Sequence, residues 1–267
     1  SLIFGVASVA AQSEAAMKKI AMCYPDIREV LESRYVDDLA MSVTKIAEAE
    51  EIKQRTTEVL TAYQLIPKGW SISRQTPDPK IAPDGLMTVG GVVWDVMRDT
   101  IKIKIPKFYF SKKIKGNMVG IRTFENGTLS ELDSFFPRPL STRALLATMA
   151  KVYDSTGTLS PLIGSLRLSF RDCSNKGGCK NWDEGIDENI RRKFIERMYQ
   201  VNLVRNMTYN RSETPKDATS KNGTLYVFAD ASREMNQFVC YLSLPREGGG
   251  YTCTFIMAKN HEGSNLL

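Results

Sequence analysis

At 267 residues, with 42% hydrophobic and 25% charged residues, the chain has room for two domains and the composition of a folded protein, not a disordered or fibrous one. No apolar run approaches the roughly 20 residues of a membrane-crossing helix, so no membrane partner is expected, and the formal charge of +6 favours polyanionic partners. Five scattered cysteines and a single histidine offer neither a disulfide framework nor a zinc set, so a cytoplasmic, reducing compartment is expected.

The first eleven residues are apolar, without an initiator Met or a basic n-region. This argues against a signal peptide and suggests a chain cut from something longer. Phe4-Gly5 leads into an Ala-rich stretch with Lys18 and Lys19 in its last turns, a helix pattern to about residue 22 entered through a glycine that permits close backbone approach. Pro25-Asp26 breaks the chain, and Ile27 to Glu32 reads as a short helix.

Tyr35-Val36-Asp37-Asp38 follows, between two short strand-like flanks. A hairpin there carries adjacent carboxylates at its tip. Two touching acids repel, and unless a cation or proton neutralises them one pKa must rise, so Mg²⁺ (or Mn²⁺) is the natural resident. Asp-Asp also simply suits a turn. Thr44 is expected to cap a helix reaching about Tyr63, with Ile46, Ala49, Ile52, Val59, Leu60 and Tyr63 on one face.

Next come Lys68-Gly69-Trp70, a Pro-rich break, and a strand at Gly91 to Trp94 followed by Asp99. From 101 to 105 Ile and Lys alternate, predicting a strand with one charged face bearing Lys102 and Lys104. Lys102, Lys104, Lys107, Lys112, Lys113 and Lys115 have no acid among them and are interleaved with Phe108, Tyr109 and Phe110, aromatics that suit base stacking or core filling. Three amphipathic helices are expected downstream: one from Ser141-Thr142-Arg143 to about Val152, one opened by Ser160-Pro161 and reaching Phe170, and one over Asp187 to Leu203. The polar run 206–222 reads as a linker. Thr224 to Ser232 is an apolar strand ending at Asp230, followed by strands at Gln237 to Leu244 and Tyr251 to Lys259 around a triple-glycine turn.

This order of motifs resembles the reverse transcriptase of BEL/Pao-type LTR retrotransposons. The Phe-Gly helix, Tyr-Val-Asp-Asp, amphipathic helix, Lys-x-Trp, Gly-x-x-Trp, Thr-x-Arg, Ser-Pro and Trp182-Asp183 stand in that family's arrangement along essentially the whole chain. The last three strands are similar to the opening of a ribonuclease H fold. The resemblance implies an α+β protein in four parts. These are the C-terminal part of a reverse transcriptase palm at 1–86, a thumb/connection-like helical region at 87–205, the linker at 206–222, and the first strands of a ribonuclease H-like sheet at 223–267.

The activity it implies is RNA-directed DNA polymerisation, nucleotidyl transfer to a primer 3′-hydroxyl by a two-metal mechanism on an RNA or DNA template. Asp37 and Asp38 would be catalytic metal ligands. Phe4, Gly5, Tyr35 and Val36 would face nucleotide and template, and Lys68, Trp70, Lys102 and Lys104 the primer or other nucleic acid, although Trp70 equally reads as a structural tryptophan. Asp230 would be the first metal ligand of the ribonuclease chemistry. RNA and DNA template-primer, deoxynucleoside triphosphates and the remainder of a polyprotein are the implied partners, in the cytoplasm or in retrotransposon particles.

Three departures qualify the likeness. The family's third palm carboxylate lies upstream of the Phe-Gly helix, so two Asp residues alone are expected to leave the isolated chain inactive. Val9-Ala10-Ala11 stands where the family has Ser-Pro-aromatic, and Asp154-Ser155-Thr156-Gly157 lacks its Pro-Leu. The alternative is a non-catalytic nucleic-acid-binding or interaction remnant of a retrotransposon.

Overall fold

The structure, a computed structural model, describes residues 9–35, 37–114, 117–175, 181–212, 214, 218–220 and 222–262. Phe4, Gly5 and Val36 lie outside the described residues. The chain forms two compact units, one through Gly90 together with Trp94–Asp99, the other made of Gly91–Val93 and the chain from Thr100 onward.

In the first unit, α1 spans Val9–Cys23, a 3₁₀ turn Pro25–Ile27 leads into α2 (Arg28–Glu32), and β1 (Arg34–Tyr35) pairs antiparallel with β2 (Asp38–Leu39). Helix α3 covers Ile46–Ala62. Ile20 and Ala21 of α1, Ile27, Val30 and Leu31, and Val59 and Leu60 of α3 form one core, with Leu39 and Met41 packed against it. Each large aliphatic side chain taken from water there is worth about 1.5–3 kcal/mol.

The expected Thr44 cap is corrected. Lys45 occupies the N-cap without a side-chain bond, and the Thr44 hydroxyl instead bonds Glu48 at 3.5 Å. Thr44 sits one residue before the N-cap, too early for its hydroxyl oxygen to accept from the first helical N–H groups. The apolar stripe of α3 is also narrower than its spacing suggests, since Ile46 and Tyr63 face solvent.

The chain passes between the units through β3 (Leu86–Val89), β4 (Val92–Asp95) and β5 (Thr100–Ile103). In the second unit β6 (Phe108–Ile114) and β7 (Asn117–Phe124) form a two-stranded antiparallel sheet. Four helices follow: α4 (Leu129–Phe135), α5 (Thr142–Met149), α6 (Ser160–Asn175) and α7 (Glu188–Leu203). Their starts are written locally. Thr128 and Glu131 form a reciprocal capping box on α4, Ser141 accepts from the Ala144 N–H on α5, and Asp187 accepts from Asn189 and Ile190 on α7. Such caps satisfy N–H groups that the first helical turn leaves without intrahelical partners.

Within the run read as a linker, β8 (Tyr209–Asn210) pairs with β5 and Ala218 bridges to Arg246. The chain closes with β9 (Thr224–Ala231), β10 (Met235–Pro245) and β11 (Tyr251–Glu262), an antiparallel sheet in the order β11-β10-β9.

The core of this unit runs from Phe108 and Phe124 through Leu132, Phe136, Leu145 and Leu166 to Phe194, Met198 and Val201. Helix α6 is central, packing on α5, α7 and β11. Two glycines let it approach the sheet: a Cβ at Gly157 would collide with the Ala258 carbonyl, and one at Gly164 with the Met235 sulfur. Asn260 of β11 bonds Ser160 in the first turn of α6, and Arg167, about two turns on, donates to the Asn260 carbonyl and side-chain oxygen.

Candidate functional site

The carboxylate hairpin is fastened at its base. Arg34 donates to the Ser13 carbonyl at 3.3 Å and pairs with Glu14, both on α1, while Leu39 packs on the core. Tyr35 stands directly opposite Asp38 in the register. Asp37 is exposed at the turn and Asp38 half-buried. Burial, then the Asp37 charge, pushes the Asp38 carboxyl above its usual range. The second of these causes is the repulsion that the adjacent acids imply. Among the described residues no group of three His, Cys, Asp or Glu side chains is placed to hold a metal ion.

The other residues singled out in the sequence are distributed as follows. Tyr35 is exposed, and Lys68 and Trp70 are half-buried. The Trp70 indole donates to the Thr57 hydroxyl at 3.0 Å, which seats the ring on α3. Lys102 is half-buried and Lys104 exposed, with Ile103 and Ile105 buried, so the alternation of charged and apolar positions is realised. Trp94 and Asp99 form a pair not anticipated from their spacing: the indole donates to Asp99 at 3.1 Å, and Asp99 is buried in the left-handed backbone region with φ +56°.

Asp230 lies near the end of β9, the edge strand of the closing sheet, opposite Gln237 of β10, which in turn faces Asn260 of β11. Its carboxylate accepts the Ala231 N–H at 2.9 Å. A cleft of about 410 Å³ is lined here by Asp230, Asn236, Gln237, Lys259 and His261, among others. Asn236 and His261 stand opposite each other in the next register row. These neighbours were not picked out from the sequence. Their only local signal is that His261 is the sole histidine, and strand register, which no single strand reveals, brings them beside Asp230.

All eight residues of β9 are exposed, Leu225, Val227 and Phe228 included. An edge strand apolar on successive positions leaves unpaired backbone groups beside uncovered side chains.

The molecule is thus a mixed α+β protein, with a carboxylate hairpin in one unit and, in the other, helices packed on an antiparallel sheet whose edge carries one carboxylate. Residues 141–262, from the Ser141 cap to the end of β11, match the family described as the Pao retrotransposon-like RNaseH-like domain. The match supports a Pao/BEL-type ribonuclease H-like region over that part of the chain, in which α5 to α7 and the sheet are included together. No curated protein and no solved structure matches the chain.

Proposed function

We propose that the chain is part of the reverse transcriptase and ribonuclease H region of a Pao/BEL-type retrotransposon, acting on RNA and DNA. The family match of residues 141–262 supports the ribonuclease H-like part and, with it, a nucleic-acid partner. The polymerase part rests on one observation, the hairpin that holds Asp37 and Asp38 side by side with the Asp38 carboxyl pushed up.

The donor set at the hairpin fits Mg²⁺, which takes one or two carboxylates and fills its remaining positions with water and substrate phosphate oxygens. Asp37 and Asp38 would hold the ion. Bound there, it supplies neutralisation of phosphate charge and alignment of attacking and leaving oxygens. Tyr35, exposed beside the pair, lines the approach of nucleotide or template, and Lys102 and Lys104 offer charge to the phosphate backbone. At Asp230 the flanking groups named above include amides, an amine and an imidazole and no second acid, so this residue fits as one ligand of a larger set.

The test is a Mn²⁺ titration of the chain followed by electron paramagnetic resonance. The tightest-bound ion should be lost in the Asp37→Asn/Asp38→Asn double variant, with circular dichroism unchanged. An identical titration curve for the double variant would remove the hairpin from the reading.

A further inference from the structure

The acid-free stretch between β5 and Glu125 is given a shape by the fold. From Thr100 to Phe124 the chain contains Lys102, Lys104, Lys107, Lys112, Lys113, Lys115 and Arg122 and no Asp or Glu. The β6–β7 ribbon occupies its second half, and its root is firmly seated. Phe108 and Phe124, opposite each other in the register, are both buried in the core, and the Phe124 ring lies 5.6 Å from that of Phe135. Arg205 stacks its guanidinium 5.9 Å from the centre of the Phe108 ring and donates to the Ile105 and Pro106 carbonyls just before the strand. Lys107 pairs with Glu125 at 2.8 Å, so charge is neutralised at the root.

Beyond the root the ribbon is different. Its strands form a two-stranded sheet with no third member among the described residues. A two-stranded ribbon is marginal in water without other packing, so this one is held by its root. Arg122 on β7 stands opposite Phe110, and Lys112 and Lys113 on β6 follow beyond a register shift between Phe110 and Lys112 that sharpens strand twist. The seven residues of β6 extend about 23 Å at strand rise.

We propose that the β6–β7 ribbon is an arm that grips the phosphate backbone of a nucleic-acid duplex. The charge complementarity is direct: a run of cations without an acid meets a polymer carrying a negative charge every ~1.7 Å of its axis. The proposal rests on the nucleic-acid reading above for the nature of the polyanion, and adds where the chain holds it.

The experiment measures binding of the chain to a 24-base-pair RNA–DNA hybrid by fluorescence anisotropy across a salt series. Two charge-matched double variants are compared, Lys112→Gln/Lys113→Gln on the ribbon and Arg192→Gln/Lys193→Gln on the exposed face of α7. Each phosphate contact contributes about 0.9 to the slope of log affinity against log salt, so the ribbon variant should lose a slope of about 1.8. Between about 50 and 200 mM salt it should therefore be roughly tenfold less salt-sensitive than wild type, while the α7 variant keeps the wild-type slope. Lys112→Arg/Lys113→Arg should restore the slope, which separates lost charge from a misfolded ribbon. Equal effects of the two Gln doubles, or none from the ribbon double, overturn the arm and leave the nucleic-acid reading standing. Equally tight, ribbon-dependent binding of a single strand overturns the duplex assignment. No binding of hybrid by the wild-type chain overturns both readings.

Discussion

Asn260 of β11 donates its side-chain amide to the Ser160 hydroxyl at 2.9 Å, across the joint between the closing sheet and the first turn of α6. The same amide reaches the Ser160 carbonyl, and Arg167 donates to the Asn260 side-chain oxygen at 2.6 Å. Both residues of the pair are buried. Asn260→Ala leaves these groups without their partner and should cost about 1–3 kcal/mol in urea denaturation. Loss of less than about 0.5 kcal/mol would mean that water replaces the amide without penalty.

Gly157 has φ +79°, and a Cβ there would collide with the Ala258 carbonyl oxygen. Gly157→Ala should combine left-handed backbone strain with that collision and cost at least about 2 kcal/mol, a fall of roughly 5 °C or more in melting temperature. Gly248 has a similar φ of +84° with nothing within 4 Å of its Cβ position. Gly248→Ala should cost only the strain, about 1 kcal/mol, so calorimetry on the two variants isolates the close approach of α6 to the sheet.

Arg191 is almost wholly buried, yet well partnered. It bonds the Asp133 carboxylate at 2.7 Å and the carbonyls of Asp133, Phe136 and Pro137, tying α7 to the end of α4. Arg191→Met removes the charge and leaves those acceptors facing a thioether, an expected loss of about 3–5 kcal/mol. Chemical denaturation checks it, and a near-neutral result would show that the carbonyls reach solvent.

Asp154 lies in the loop before α6, where its carboxylate accepts the N–H groups of Gly157, Thr158 and Leu159. Burial outweighs these bonds and raises its pKa. An acid whose pKa is higher folded than unfolded favours the native state most at low pH, and that contribution fades as pH rises through its folded value. Wild type should therefore gain stability relative to Asp154→Asn between about pH 7 and about pH 4. Shared effects of carboxylates such as Asp26, held low by Arg55, cancel in the difference. A difference that moves the other way with pH would show that the hydrogen bonds dominate.

At the hairpin, a carboxyl-detected NMR titration should place Asp38 above the usual carboxylate range. Asp37→Asn should bring it down only part of the way, because burial is the larger cause and the neighbouring charge the smaller. Full normalisation would reverse that order.

Much of the local architecture was legible from residue types. The hairpin around Asp37-Asp38, the helix starts at Ser141 and Asp187, the Gly91 to Trp94 strand and the three closing strands are short-range patterns of side-chain size, polarity and backbone freedom, and they appear close to where spacing puts them. Helix α6 runs past Phe170 to Asn175. Thr44 does not cap α3 because the helix begins one residue later than the sequence pattern suggests, with Lys45 at the N-cap. The burial of Arg191 and Arg205 had no sequence signal, since an arginine buried against backbone carbonyls reads like any other arginine.

The sequence by itself determined that Asp37 and Asp38 stand together, that lysines crowd one acid-free stretch, and that an apolar strand ends at Asp230, because adjacency and composition are properties of the chain. Only the tertiary structure decided that β6 folds back on β7 as a ribbon rooted by Phe108 and Phe124. It also put Gln237 and Asn260 in the row of Asp230 and brought Asn260 to Ser160. Those relationships join residues far apart along the chain, and the register and packing that create them are settled by the collective burial of both partners, which no local pattern encodes.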